Sequence, residues 1–148
     1  TIFHIFGRVT SMDRIDDNLF VGDWQDAQEY AHKYFTISLT QESPGGEHLH
    51  YPIRDDSQNT KFRLLGFIQL AMTVSSFRDA GFDRTIFVHC AAGQSRSVLF
   101  SSLVLLYSHK NNLDTFGDVA EYIVEQYPGA NPSPQLKTQI KKIVLDNG

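Results

Sequence analysis

Apolar residues recur at helical spacing in some stretches of this chain and bunch into short β-branched and aromatic runs in others. The clearest helical stretch is Phe116–Tyr127, where Phe116, Val119, Ala120, Ile123, Val124 and Tyr127 form one stripe and Pro128 ends it. Phe62–Ala80 carries Phe62, Leu65, Ile68 and Met72 at the same spacing, with Thr60 as a cap and Gly81 as a stop. A last helix is predicted from Pro134 to about Leu145, capped by Ser133, and a short one over Asp26–Tyr34. The runs NLFVG, FTISL, HLHYPI and TIFVH read as strands bounded by turn residues. TIFVH is apolar enough for a central strand covered on both faces. Gln41–His48 and Tyr127–Pro134 are loops punctuated by Pro and Gly, and neither is long enough to link domains. Strands alternating with helices predict an α/β architecture, a mostly parallel sheet between helices, with residues 1–148 as a single domain.

Composition changes this picture little and narrows the function. A chain of 148 residues can bury one core, and 41% hydrophobic with 20% charged residues is the balance of a globular protein. A formal net charge of -4 argues against a general nucleic-acid binder. No apolar run approaches the length of a membrane span, and the opening TIFHIFGRV lacks the charged region and apolar length of a secretory signal. A single cysteine cannot close an intramolecular disulfide, so the expected setting is reducing and cytoplasmic.

That cysteine stands in FVHCAAGQSRSVLF, Phe87–Phe100. The predicted strand ends at His89–Cys90, a loop of small residues follows, and a helix runs from about Arg96 to Tyr107. A strand, a tight loop and a helix N-terminus make an anion-binding arrangement, because free backbone N–H groups and the positive helix end converge on one spot. A thiolate is favoured there. Ala91, Ala92 and Gly93 leave the backbone uncovered, Gly93 can take a positive φ, and Gln94 and Ser95 complete the cradle. Arg96 in the first helical turn offers a planar fork for two oxygens of a tetrahedral oxyanion. The chemistry implied is attack by sulfur on phosphorus. A buried Cys acting as a small hydrophobe would explain Cys90 but not His89, Gly93, Arg96 and Ser97 at this spacing.

HCAAGQSRS resembles the signature of the cysteine-dependent protein phosphatases, and specifically their dual-specificity branch. IDDNLFVGDWQDAQE is similar to the N-terminal strand, turn and helix of that branch, YPIRDDSQN to its acid-bearing loop, and NPSPQLKTQI to its final helix. The resemblance runs from about Ile15 to near the C-terminus and implies the compact protein-tyrosine-phosphatase-like fold. It places the nucleophile on Cys90 and the phosphate clamp on Arg96. It puts the hydroxyl that steadies the thiolate on Ser97, and on His89 the residue that orders the loop and helps keep the thiol ionised. Gln94 stands where an aliphatic residue is common.

The resemblance also implies a general acid, which protonates the leaving oxygen and then, as a carboxylate, activates water. A Pro-apolar-x-Asp stretch puts it on Asp55; sliding the match by one puts it on Asp56. Asp55 is favoured because strand position sets register more firmly than a loop does. Both aspartates also suit a turn before the Phe62 helix.

No metal or cofactor is expected. His48 and His50 alternate along a strand with no further ligand at metal spacing, and Asp13, Asp16 and Asp17 lack the calcium-hand pattern. Trp24 is expected to pack in the turn after an early strand. The chain has no room for the loop that deepens the pocket of tyrosine-only relatives, so the resemblance implies a phosphoprotein substrate carrying phosphotyrosine, phosphoserine or phosphothreonine. Ala91 and Gln94, where phosphoinositide-directed relatives carry lysines, argue against a heavily phosphorylated lipid, and the net charge argues against an RNA 5′-phosphate. A phosphate-binding module of negligible turnover is the alternative from another class.

Overall fold

The computed structural model describes residues 12–113 and 115–147, together with the backbone of a short antiparallel pair at His4–Ile5 (β1) and Arg8–Val9 (β2). The chain continues through β3 (Asp13–Asp16), β4 (Leu19–Gly22), α1 (Trp24–Tyr30), β5 (Phe35–Ser38) and β6 (Leu49–His50). Then follow α2 (Lys61–Asp79), β7 (Ile86–His89), α3 (Arg96–Leu106), α4 (Phe116–Gln126) and α5 (Pro134–Asn147). The five-stranded sheet has the order β3-β4-β7-β5-β6. Only the β3–β4 pairing is antiparallel; β7 lies at the centre, parallel to both β4 and β5. The expected α/β class and mostly parallel sheet are therefore observed.

Period-two burial along the strands sets the layers. Leu19, Val21, Ile37, Ile86 and Val88 face a core completed by Leu64 and Phe67 of α2, Phe100 and Leu103 of α3, Ile123 of α4 and Ile140 of α5. Phe20 and Phe87 point the other way and pack with Ala27 and Tyr30 of α1. All of β7 is buried, as its apolar sequence predicts. The helix α3 is buried through most of its length because it lies between α2 and α4.

Three expectations needed correction. The first helix begins at Trp24 rather than Asp26: Asp23 caps it, its carboxylate accepting from the Asp26 N–H at 2.8 Å while Asp26 accepts from the Asp23 N–H at 3.2 Å. The α2 spacing of Phe62, Leu65 and Met72 lies on the outer face, with Phe62 87% exposed. Its buried stripe is Leu64, Phe67, Ile68, Ala71 and Val74, a second series at the same period. Finally, HLHYPI contributes only two paired residues, and the charged DRID at Asp13–Asp16 forms an antiparallel edge strand that its composition did not signal. Thr60 caps α2 as expected, accepting from the Arg63 N–H at 3.1 Å. Among the described residues no helix is long and apolar enough to cross a membrane.

Candidate active site

The candidate residues gather where the parallel strands end, outside their carboxyl ends, as open α/β sheets place their ligands. Gly22, His89 and Ser38 stand side by side in the last row of β4, β7 and β5. Cys90 is the first residue beyond that row, 2% exposed, with its N–H donating to the Gly22 carbonyl at 3.3 Å. The loop then rises to the start of α3.

The loop's carbonyls and amides are treated oppositely. The Ala91 carbonyl accepts from the Trp24 N–H at 3.0 Å, and the Gln94 carbonyl from the Asn131 N–H at 2.8 Å. The Gly93 carbonyl accepts from the Tyr127 hydroxyl at 3.0 Å. Among the described residues, no hydrogen bond uses the N–H of Ala91, Ala92, Gly93, Gln94 or Ser95. Carbonyls tied outward leave a run of free amides, and orphan amides beside a helix N-terminus seek an anion.

Gly93 makes the curve. Its φ is 71°, as its place in the sequence predicted, and a Cβ there would lie 2.7 Å from the Gly22 carbonyl carbon. The left-handed backbone alone costs an alanine about 1–2 kcal/mol. Gly93→Ala is therefore expected to lower the thermal midpoint by roughly 4 °C or more and to abolish oxyanion protection against unfolding, both read by thermal denaturation with and without tungstate. An unchanged midpoint and intact protection would show that the loop does not need this curve.

At the floor of the loop, Cys90 Sγ lies 3.3 Å from the Ser97 hydroxyl. His89 is fully buried, its Nε2 2.6 Å from the Ser38 hydroxyl and its ring beside Trp24 and Phe87. Burial lowers its pKa to about 4, against a smaller opposing pull from the Cys90 backbone. The ring packs against Trp24 and Phe87 and ties the end of β7 to Ser38 at the end of β5. Arg96 Nη1 donates to the Ile53 carbonyl at 2.9 Å and the Leu39 carbonyl at 3.4 Å. Its Nε and Nη2 take no hydrogen-bond partner among the described residues.

The two candidate acids are treated differently. Asp56 is bound in a fork by Arg54, from Nε at 3.2 Å and Nη2 at 2.8 Å, and also accepts from the Gln58 N–H at 2.8 Å. The Arg54 hydrogen bonds, ahead of the Gln58 amide, hold its carboxyl below the usual carboxylate range. That is the turn-capping role weighed for the pair. Asp55, one residue earlier, reaches the loop itself and accepts from the Ser95 hydroxyl at 2.5 Å.

Two supporting residues escaped the sequence reading. Tyr127 was visible only as the end of an apolar stripe; burial raises its pKa, so the hydroxyl stays protonated and donating. Asn131 acts through its backbone, which carries no side-chain signal. Trp24 is half-buried against the loop, and His48 and His50 are exposed, consistent with their sequence readings. Among the described residues no group of three His, Cys, Asp or Glu could hold a metal ion.

Neither a family model nor a curated protein sequence matches the chain. Solved structures do. Human DUSP28 is 20% identical with a TM-score of 0.69, covering 92% of this chain and 95% of its own. A mouse putative dual specificity phosphatase in complex with zinc tungstate is 15% identical with a TM-score of 0.69, over 99% of this chain and 96% of its own. The tyrosine phosphatase OH1 of the Orf virus is 19% identical with a TM-score of 0.63, over 89% and 85%. The order of strands and helices, the loop at the end of the central strand and these neighbours agree: the chain has the fold of the compact dual-specificity phosphatases.

Proposed function

We propose that this chain is a metal-independent phosphatase that hydrolyses phosphotyrosine and phosphoserine or phosphothreonine monoesters in proteins through a cysteinyl-phosphate intermediate. The observation that carries the reading is the run of unpaired amides from Ala91 to Ser95 above a buried thiol. A cradle of this polarity suits the equatorial oxygens of a phosphoryl group in flight.

In the first step the Cys90 thiolate attacks phosphorus, the sulfur–phosphorus bond forms, and the bond to the leaving oxygen breaks. Asp55 gives its proton to that oxygen, so the product leaves as a neutral alcohol or phenol. Arg96 Nε and Nη2 hold the transferring oxygens. In the second step water attacks phosphorus, the Asp55 carboxylate takes its proton, and sulfur departs as thiolate with the Ser97 hydroxyl in reach at 3.3 Å. His89 keeps β7 and the loop in register through Ser38. The tungstate bound by the mouse neighbour is itself a tetrahedral oxyanion.

The test is hydrolysis of p-nitrophenyl phosphate with EDTA present. Turnover that persists in EDTA and is competitively inhibited by tungstate is expected. Asp55→Ala should lose roughly 10²-fold or more, while Asp56→Ala, which removes the partner of exposed Arg54 and the acceptor of the Gln58 N–H but no contact with the cradle, should stay within about twofold of wild type. Turnover that vanishes in EDTA, or a larger loss at Asp56 than at Asp55, overturns the assignment.

A further inference from the structure

Ser95 occupies the cap position of α3, where a serine ordinarily accepts from an amide of the first turn. Its side chain makes no such bond. The oxygen accepts instead from the backbone N–H of Ser133 at 2.7 Å, and the hydroxyl donates to Asp55 Oδ1 at 2.5 Å. An amide can only donate, so Ser133 fills the acceptor side of the hydroxyl and directs its proton to Asp55. Ser95 is 7% exposed, so little water competes for this O–H···O bond.

Asp55 itself is exposed on a loop, where an untethered side chain samples several rotamers. Among the described residues Ser95 is its only hydrogen-bond partner. From these contacts we infer that Ser95 is a positioning residue for Asp55: its hydroxyl fixes Oδ1 and leaves Oδ2 to carry the proton to and from the reacting oxygens. The inference rests on the reaction proposed above. It gives Ser95 a task beyond its backbone amide and joins three segments, since Ser133 caps α5, accepting from the Leu136 N–H at 3.3 Å. A second tie between acid loop and α5, Gln139 Nε2 to the Ser57 carbonyl at 3.1 Å, holds the loop from its far side. The hydroxyl left the helix uncapped, which keeps the first amides of α3 open toward the cradle.

A positioning role and a merely structural one differ in how they depend on the leaving group. Phenyl phosphate needs its departing oxygen protonated; 2,4-dinitrophenyl phosphate scarcely does. Ser95→Ala is expected to lower kcat/KM for phenyl phosphate roughly tenfold more than for the dinitrophenyl ester. In an Asp55→Ala background it should cost less than about twofold further on phenyl phosphate, because the group it positions is gone. Equal losses on both esters, or a full additional loss in the double variant, overturn the inference. Hydrogen exchange of the peptides spanning 54–60 and 131–135 gives a readout independent of turnover, and both should exchange faster in Ser95→Ala. If wild type and Cys90→Ser hydrolyse neither ester, the phosphatase reading fails; exchange unchanged by Ser95→Ala overturns the positioning of Asp55 by Ser95.

Discussion

Cys90→Ser is expected to lose at least roughly 10⁴-fold in turnover of any phosphomonoester while still binding oxyanions. The exchange is nearly isosteric, so the 2% exposed site keeps its shape and the hydroxyl can occupy the place of Sγ beside Ser97. What is lost is the nucleophile, since a serine hydroxyl is protonated at neutral pH and, among the described residues, no general base touches this position. The ring of His89, the neighbouring candidate base, turns its Nε2 to Ser38. The amides of Ala91 to Ser95 and the free side of Arg96 are untouched by the substitution, so tungstate should still raise the thermal midpoint of the variant. Rate and binding separate only if sulfur does the chemistry and the backbone does the holding. Equal residual rates in wild type and variant would mean that the loop merely binds phosphate.

The parts of this site that could be read from the sequence are those whose placement is local. Cys90, Gly93, Arg96 and Ser97 lie within one short strand–loop–helix turn, so local spacing fixes their geometry whatever surrounds them. The choice between Asp55 and Asp56 was not local. Neighbouring aspartates in one loop differ only in what approaches them, Arg54 for one and Ser95 for the other, and that depends on how the loop lies over α3. The same holds for Tyr127 and Asn131, whose contacts join residues distant in sequence. In α2 the failure was of another kind. Two apolar series share the helix, and burial of Leu64 and Phe67 rather than Phe62 and Leu65 is decided by what the helix packs against, α3 above all. The edge strand Asp13–Asp16 was hidden because an edge held by one neighbour needs no continuous apolar run.

Arg96→Lys is expected to cost roughly 10²–10³-fold in kcat although it keeps the charge. Under the proposed reaction Arg96 does two things at once. Through Nη1 it binds the carbonyls of Ile53 and Leu39, pinning the base of the acid loop to the end of β5, while Nε and Nη2 remain for the oxyanion. A planar fork can divide its donors in this way, with one edge structural and the other facing the ligand. A lysine has one nitrogen on a flexible stem. If it binds the carbonyls the transferring oxygens lose their clamp, and if it turns to the oxyanion the acid loop loses its anchor two residues before Asp55. Both outcomes lower the rate, and the second also loosens the general acid, so the leaving-group dependence of Arg96→Lys should steepen toward that of Asp55→Ala. Steady-state kinetics on phenyl and dinitrophenyl phosphates measure both quantities. A lysine variant within about tenfold of wild type on both esters would mean that a point charge suffices, and that the carbonyl contacts of Nη1 serve only the fold.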